Sequence, residues 1–302
     1  MPYEYDLIHS SLLNSQRLTV GGVLHYRSAS MPFFSTAGIQ LYYEVHGPAL
    51  GTAPVLVFAH GAGGNHLSWW QQVPHFMDRY TCVTFDHRGF GQSSDREGGP
   101  GGAAFVDDLY ALLDHLGIER ATLIAQSMGG WTCLGFTLRY PARVEKLVMC
   151  DTHGGLVSEE IAAAWVEGMQ AAGALPPNVH PAAGVRMARE QPALHFLYTQ
   201  INGLSPARTI EQLRILLAAA GAPTPNDVAA LDVPVLFIAG EEDIVIPPQV
   251  CEIASRYFHR ARVEPVPSAG HSVYFERPDA FNAIVERFLH DGIARRADRG
   301  RA

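Results

Sequence analysis

Short, unbroken apolar runs alternate with helical stripes along most of this chain. Residues 54–59 (PVLVFA), 81–85 (TCVTF), 121–125 (ATLIA), 146–150 (KLVMC) and 234–239 (PVLFIA) stop at polar or glycine-rich segments. Strands buried on both faces have this pattern. Ile39–Val45 reads as an opening strand and Ala261–Val266 as a closing one. Between the runs, Phe105, Leu109, Leu112, Leu113 and Leu116 recur at helical spacing before Gly117, which predicts one amphipathic helix. A second is expected from about Met128 to Tyr140, where Pro141 stops it, and a last one over Asp279–His290. Strands alternating with helices predict an α/β fold, a mostly parallel central sheet with helices on both faces. Right-handed crossovers place the C-terminal ends of its strands along one edge, where such sheets bind ligands.

The rhythm breaks between His153 and Asp232. Alanine-rich helical stretches such as Ile161–Ala172 and Ile210–Ala220 appear there, separated by Pro176-Pro177 and Pro223-Thr224-Pro225. Long strandless connections inside a compact domain are usually functional, so this segment is expected to be a small helical cap inserted over the sheet edge. Crossover helices joined by long loops are the alternative. The expected division is an N-terminal extension at 1–30, a core at 31–152 and 233–292, the cap at 153–232 and a flexible tail at 293–302. Residues 1–30 read equally as an extension or as a wrongly assigned start, because Met31 precedes the first strand-like pattern.

Composition narrows the partners. Only 17% of the 302 residues are charged, with a formal net charge of −8, so no basic face for nucleic acid is expected. No stretch approaches the roughly 18 apolar residues of a membrane span, and Met1–Ser30 lacks the basic start and apolar centre of a signal peptide. The four cysteines, at 82, 133, 150 and 251, have no C-x-x-C spacing. A cytoplasmic protein without a disulfide framework is the expectation.

The chemistry centres on Ile124-Ala125-Gln126-Ser127-Met128-Gly129. A serine hydroxyl is a poor nucleophile until it is held exposed beside a base. A sharp strand-to-helix turn does this, and it demands small residues two positions either side; Ala125 and Gly129 comply. Asp86-His87-Arg88-Gly89 follows one buried strand, His60-Gly61-Ala62-Gly63-Gly64 another, and Gly240-Glu241-Glu242-Asp243 a third. Pro267-Ser268-Ala269-Gly270-His271 and Phe275-Glu276-Arg277-Pro278 lie ahead of the final helix.

In these segments, spanning about Ile39 to Leu289, the chain resembles the α/β-hydrolase family and its serine esterases with a helical cap. It departs from the family's G-x-S-x-G elbow at Ala125. The resemblance implies Ser127 as nucleophile, Asp243 as acid and His271 as base, with the backbone amides of Ala62 and Met128 binding the oxyanion. Asp151, at the end of a strand, competes with Asp243 for the acid's role. His60 is expected to be a structural hydrogen-bonding residue.

A serine at the elbow points to an acyl-enzyme and to carboxylic esters or lactones. Carbon–carbon hydrolysis of ring-fission products, cofactor-free haloperoxidase or perhydrolase activity, and a small-molecule receptor with a vestigial triad are the alternatives. No cofactor and no metal are expected, since the histidines and acids match no H-E-x-x-H spacing. Trp165, Met169, Met187, Phe196, Leu197 and Tyr198 are candidates to line the pocket, or to be cap core. Arg186 and Arg189 are candidate grips for a substrate carboxylate.

Overall fold

The computed structural model describes residues 33–172 and 174–291. The expected extension at 1–30 and tail at 293–302 lie outside these. Among the described residues there are eight strands: β1 Phe33–Thr36, β2 Ile39–His46, β3 Val55–Ala59, β4 Thr81–Phe85, β5 Ala121–Gln126, β6 Val144–Cys150, β7 Val235–Gly240 and β8 Ala261–Val266. The α-helices are α1 Gln72–Phe76, α2 Phe105–His115, α3 Gly129–Arg139, α4 Glu159–Ala172, α5 Val185–Glu190, α6 Pro192–Asn202, α7 Ile210–Ala220, α8 Pro225–Ala229, α9 Pro248–Arg256, α10 Val273–Glu276 and α11 Pro278–His290.

The strands form one sheet in the order β1-β2-β4-β3-β5-β6-β7-β8. β1 and β2 pair antiparallel, as do β2 and β4; every other neighbour is parallel. The fold class read from the pattern is the observed one: a mostly parallel sheet between helices.

Side chains of successive strand residues point to opposite faces, and each central strand therefore feeds two cores. Val57, Leu123, Ala125, Leu147, Met149 and Phe237 join one cluster with Leu109 and Leu112 of α2, Leu134 and Phe136 of α3 and Val250 of α9. Leu56, Phe58, Ile124, Val148, Leu236 and Ile238 turn the other way, toward Val73 and Phe76 of α1 and Phe281 and Val285 of α11. This explains why β3, β5 and β7 are buried at every position and read as continuous apolar runs. All four cysteines are free and buried.

Helices α4–α8 lie between β6 and β7 with no strand among them. Their contacts reach down to the loops at the sheet edge. Asn65 donates to Ile201 O at 2.8 Å, Ser205 Oγ to Gly64 O at 2.9 Å, and Ser272 Oγ to Ala182 O at 2.6 Å.

Candidate active site

Ser127 follows β5 directly and has φ +48°, in the left-handed region that is costly for a residue with a Cβ. The chain reverses there from β5 into α3. A Cβ on Gly129 would stand 2.2 Å from Ala59 O, so the turn closes only with glycine at that position. Ser127 N donates to Cys150 O at 3.0 Å and Gly130 N to Ser127 O at 2.8 Å, which fixes the strained residue from both sides. Ala125, where the elbow pattern has glycine, is fully buried and paired in register with Ala59 and Met149.

Asp243 stands on the turn after β7, its N–H donating to Gly240 O at 3.1 Å. His271 stands on the loop after β8. The two loops are nearly in contact, since a Cβ on Gly240 would lie 2.1 Å from Gly270 O. His271 Nδ1 is 2.8 Å from Asp243 Oδ2, and its Nε2 is 2.9 Å from Ser127 Oγ. Asp243 Oδ1 accepts the N–H groups of Val245 and Ile246 at 2.7 and 2.9 Å. The three residues named from the sequence thus form one hydrogen-bonded chain, and both ionisable members are buried.

Burial works against a charged imidazole at His271, yet its pKa is raised above the ordinary value. Asp243, in direct contact, opposes the desolvation, and the charges of Asp151 and Glu276 add to it.

Asp151, the competing acid, is spent on backbone. Its Oδ1 accepts Gly240 N–H at 2.9 Å, and its Oδ2 accepts Val273 N–H and the Cys150 thiol, both at 3.1 Å. It therefore spans the acid loop and the histidine loop without touching the imidazole. Burial, and then Asp243, push its carboxyl pKa up. Glu276 does a related service: it accepts the N–H groups of Gly270 and Ser272, either side of His271, at 3.0–3.2 Å. Burial raises its pKa to about 7. Neither role is visible in the sequence, because an acid that binds backbone amides has the same letter as a solvated one.

Among the described residues, neither Ala62 nor Met128 has a hydrogen-bond acceptor for its backbone N–H, while Gly64 and Ser127 beside them are bonded. His60 donates Nδ1–H to Gly61 O at 2.8 Å and accepts His87 N–H on Nε2 at 3.0 Å. Burial lowers its pKa to about 4; it is a neutral pin for the glycine loop. Asp86 holds the next turn by accepting the N–H groups of His66 and Gln92.

The candidate pocket residues separate. Met187 and Tyr198 are buried, while Met169 and Phe196 are mostly exposed. Arg186 pairs with Glu242 and Glu190, and Arg189 with Glu190, so neither carries an unpaired charge toward a substrate. A groove of about 370 Å³ opens between α4 and residues 241–249. Asp243 is on its wall but Ser127 and His271 are not. No group of metal-ligating side chains is assembled among the described residues, and none of the described helices is long and apolar enough to cross a membrane.

Residues 54–278 match a family model described as the alpha/beta hydrolase fold. A Caulobacter protein (strain K31) provisionally named the carbamate hydrolase RutD is 30% identical over 82% of this chain and 95% of its own length. The 3-oxoadipate enol-lactonase 2 of Acinetobacter baylyi is 26% identical over 88% of this chain and 98% of its own. Among solved structures, a thermophilic esterase from Thermogutta terrifontis superposes with a TM-score of 0.67 at 26% identity, covering 86% of this chain and 97% of that one.

Proposed function

The chain belongs to the α/β-hydrolase fold family and is a hydrolase, and from that premise we propose that it opens a carboxylic ester or lactone through an acyl-enzyme on Ser127. The observation that carries this reading is the unbroken chain Ser127 Oγ, His271 Nε2, His271 Nδ1, Asp243 Oδ2, with links of 2.9 and 2.8 Å. The bond to Asp243 keeps the proton on Nδ1 and leaves the Nε2 lone pair facing the hydroxyl.

In the proposed reaction, Ser127 Oγ attacks the carbonyl carbon while Nε2 takes its proton. The oxyanion that develops is received by the Ala62 and Met128 N–H groups; preorganised donors of this kind contribute about 10²–10³ in rate. The imidazolium then gives its proton to the departing alkoxide, and an acyl-enzyme remains. Water, deprotonated by the same Nε2, cleaves it and restores the serine. An ester yields an acid and an alcohol; a lactone yields one hydroxy acid. We further take residues 153–232 as a cap over the site, supported by their bonds to the Gly64 and Ser272 loops.

The reading is tested with a phosphonofluoridate probe and intact-mass spectrometry. One adduct on the wild type, absent from Ser127→Ala, is the expected result. A folded protein that takes no adduct would sink the acyl-enzyme reading.

A further inference from the structure

The loop leaving β6 carries a second histidine, His153, two residues beyond Asp151. Gly154 and Gly155 fold it back at φ +64° and +81°. A Cβ on Gly155 would fall 2.5 Å from Trp131 Nε1, so this loop lies flat against that indole. The His153 ring is wedged between two tryptophans, edge-to-face with Trp131 and with Trp165, each with ring centroids 4.9 Å away. Both belong to the site's framework. Trp131 is on the first turn of α3, four residues after Ser127. Trp165, on α4, donates its indole N–H to Val245 O, and Val245 N–H is held by Asp243.

The two nitrogens of His153 have different fates. Nδ1 lies 2.9 Å from Leu156 O, which can only accept, so Nδ1 carries the proton and Nε2 is a lone pair. That lone pair is buried and has no hydrogen-bond partner among the described residues. Burial holds the ring neutral, with a pKa lowered to about 4. A phenyl ring would fill the same space without stranding an acceptor, and buried acceptors normally find a donor. The bond to Leu156 thus presents one acceptor, aromatic on either side, next to the nucleophile's helix.

We propose that His153 Nε2 is the acceptor of a substrate subsite bordered by Trp131 and Trp165, which takes a hydroxyl or N–H donor on the ester or lactone. The proposal rests on the Ser127 reading and narrows it: the preferred substrate carries a donor besides its scissile carbonyl. A site built around a buried polar partner rejects analogues that leave it unpaired.

Two pairs of esters test this, one varied on the acyl side and one on the alcohol side: p-nitrophenyl butyrate against p-nitrophenyl 3-hydroxybutyrate, and phenyl acetate against 3-hydroxyphenyl acetate. Each ratio of kcat/KM is corrected by the ratio of hydroxide-catalysed rates. The wild type should favour the hydroxylated member of at least one pair by about tenfold or more, and in His153→Phe that ratio should fall to about one. A wild-type ratio near one in both pairs, or a preference that survives the substitution, overturns the subsite.

A second measurement needs neither turnover nor a folded His153 variant. In Ser127→Ala, the long-range ¹H–¹⁵N signal of His153 Nε2 should move upfield on titration with the preferred hydroxylated ester and stay in place with its plain partner; a signal that moves with neither overturns the subsite. Should the wild type cleave none of the four esters while this signal still responds to the donor, the acyl-enzyme reading fails and the binding site stands.

Discussion

Replacing Asp243 with asparagine changes one atom of the candidate site, and the surrounding bonds dictate how the amide must sit. Oδ1 accepts two backbone N–H groups, from Val245 and Ile246, while Oδ2 faces His271 Nδ1. An asparagine keeps its oxygen where two donors converge, so its NH₂ group turns toward the histidine. Nδ1 must then accept, the proton moves to Nε2, and Ser127 meets an N–H in place of a lone pair.

The magnitude has two parts. At 2.8 Å between heavy atoms in a buried pair, the centres of charge are roughly 4 Å apart, where an ion pair is worth about 4 kcal/mol at an effective dielectric constant of 20. Removing it from the transition state costs about 10³ in rate at about 1.4 kcal/mol per decade. The wrong tautomer deepens the loss, toward the ~10⁴ in kcat measured for the equivalent change in another triad.

The assay is kcat and kcat/KM on p-nitrophenyl butyrate from pH 5 to 9, with a melting curve to verify folding. With His271 as the proposed base, wild-type activity should be absent at low pH and appear with a midpoint above 6.5, the direction in which its pKa is raised. The residual activity of Asp243→Asn should have its midpoint at lower pH, since burial is then opposed only by the charges of Asp151 and Glu276. A folded Asp243→Asn that loses less than tenfold would refute this reasoning. So would a folded Asp151→Asn that loses more.

Three other outcomes follow from the packing. Gly129→Ala should lower Tm and abolish activity together, because its methyl would stand 2.2 Å from Ala59 O; normal activity would show that the turn has room to relax. Arg88→Ala strands Asp108, now paired with the guanidinium through two 2.6 Å bonds under 1% and 4% side-chain exposure. It should destabilise by about 3–5 kcal/mol in urea titration, and a loss below about 1 kcal/mol would contradict it. Glu276 has a folded pKa near 7, above its ordinary 4.5; its contribution is fully present below the ordinary value and is lost as pH rises through about 7. The fall in Tm between pH 5 and 8 should therefore be smaller in Glu276→Gln than in the wild type, and an equal fall would count against the burial argument.

The sequence announced the central strands because both their faces are covered, leaving no polar residue to interrupt the apolar run. It did not announce β1. Phe33–Thr36 is a four-residue edge strand with mixed burial, and such a segment has no period to read. The order of strands in the sheet is equally silent in a one-dimensional pattern. Ser127, Asp243 and His271 could be picked out through the family resemblance, since each stands on the turn after a recognisable strand. Asp151 and Glu276 were not, since their partners are backbone amides brought near by the fold. His153 was hidden for the same reason: nothing about a histidine beside two glycines reveals that tryptophans from α3 and α4 will enclose it.

The neighbours β6 and β7 are joined in register, Cys150 opposite Ile238, although residues 151–234 separate them along the chain. Parallel pairing across so long a connection is a slow event in folding. The turn at Ser127 needs only β3, β5, β6 and α3, whereas Asp243 and His271 arrive with β7 and β8. During refolding, helical signal should therefore return before hydrolase activity, and activity becomes a clock for the closure of β6 onto β7. Until that closure the edge of β6 stays open, and chains at this stage are the ones prone to aggregate.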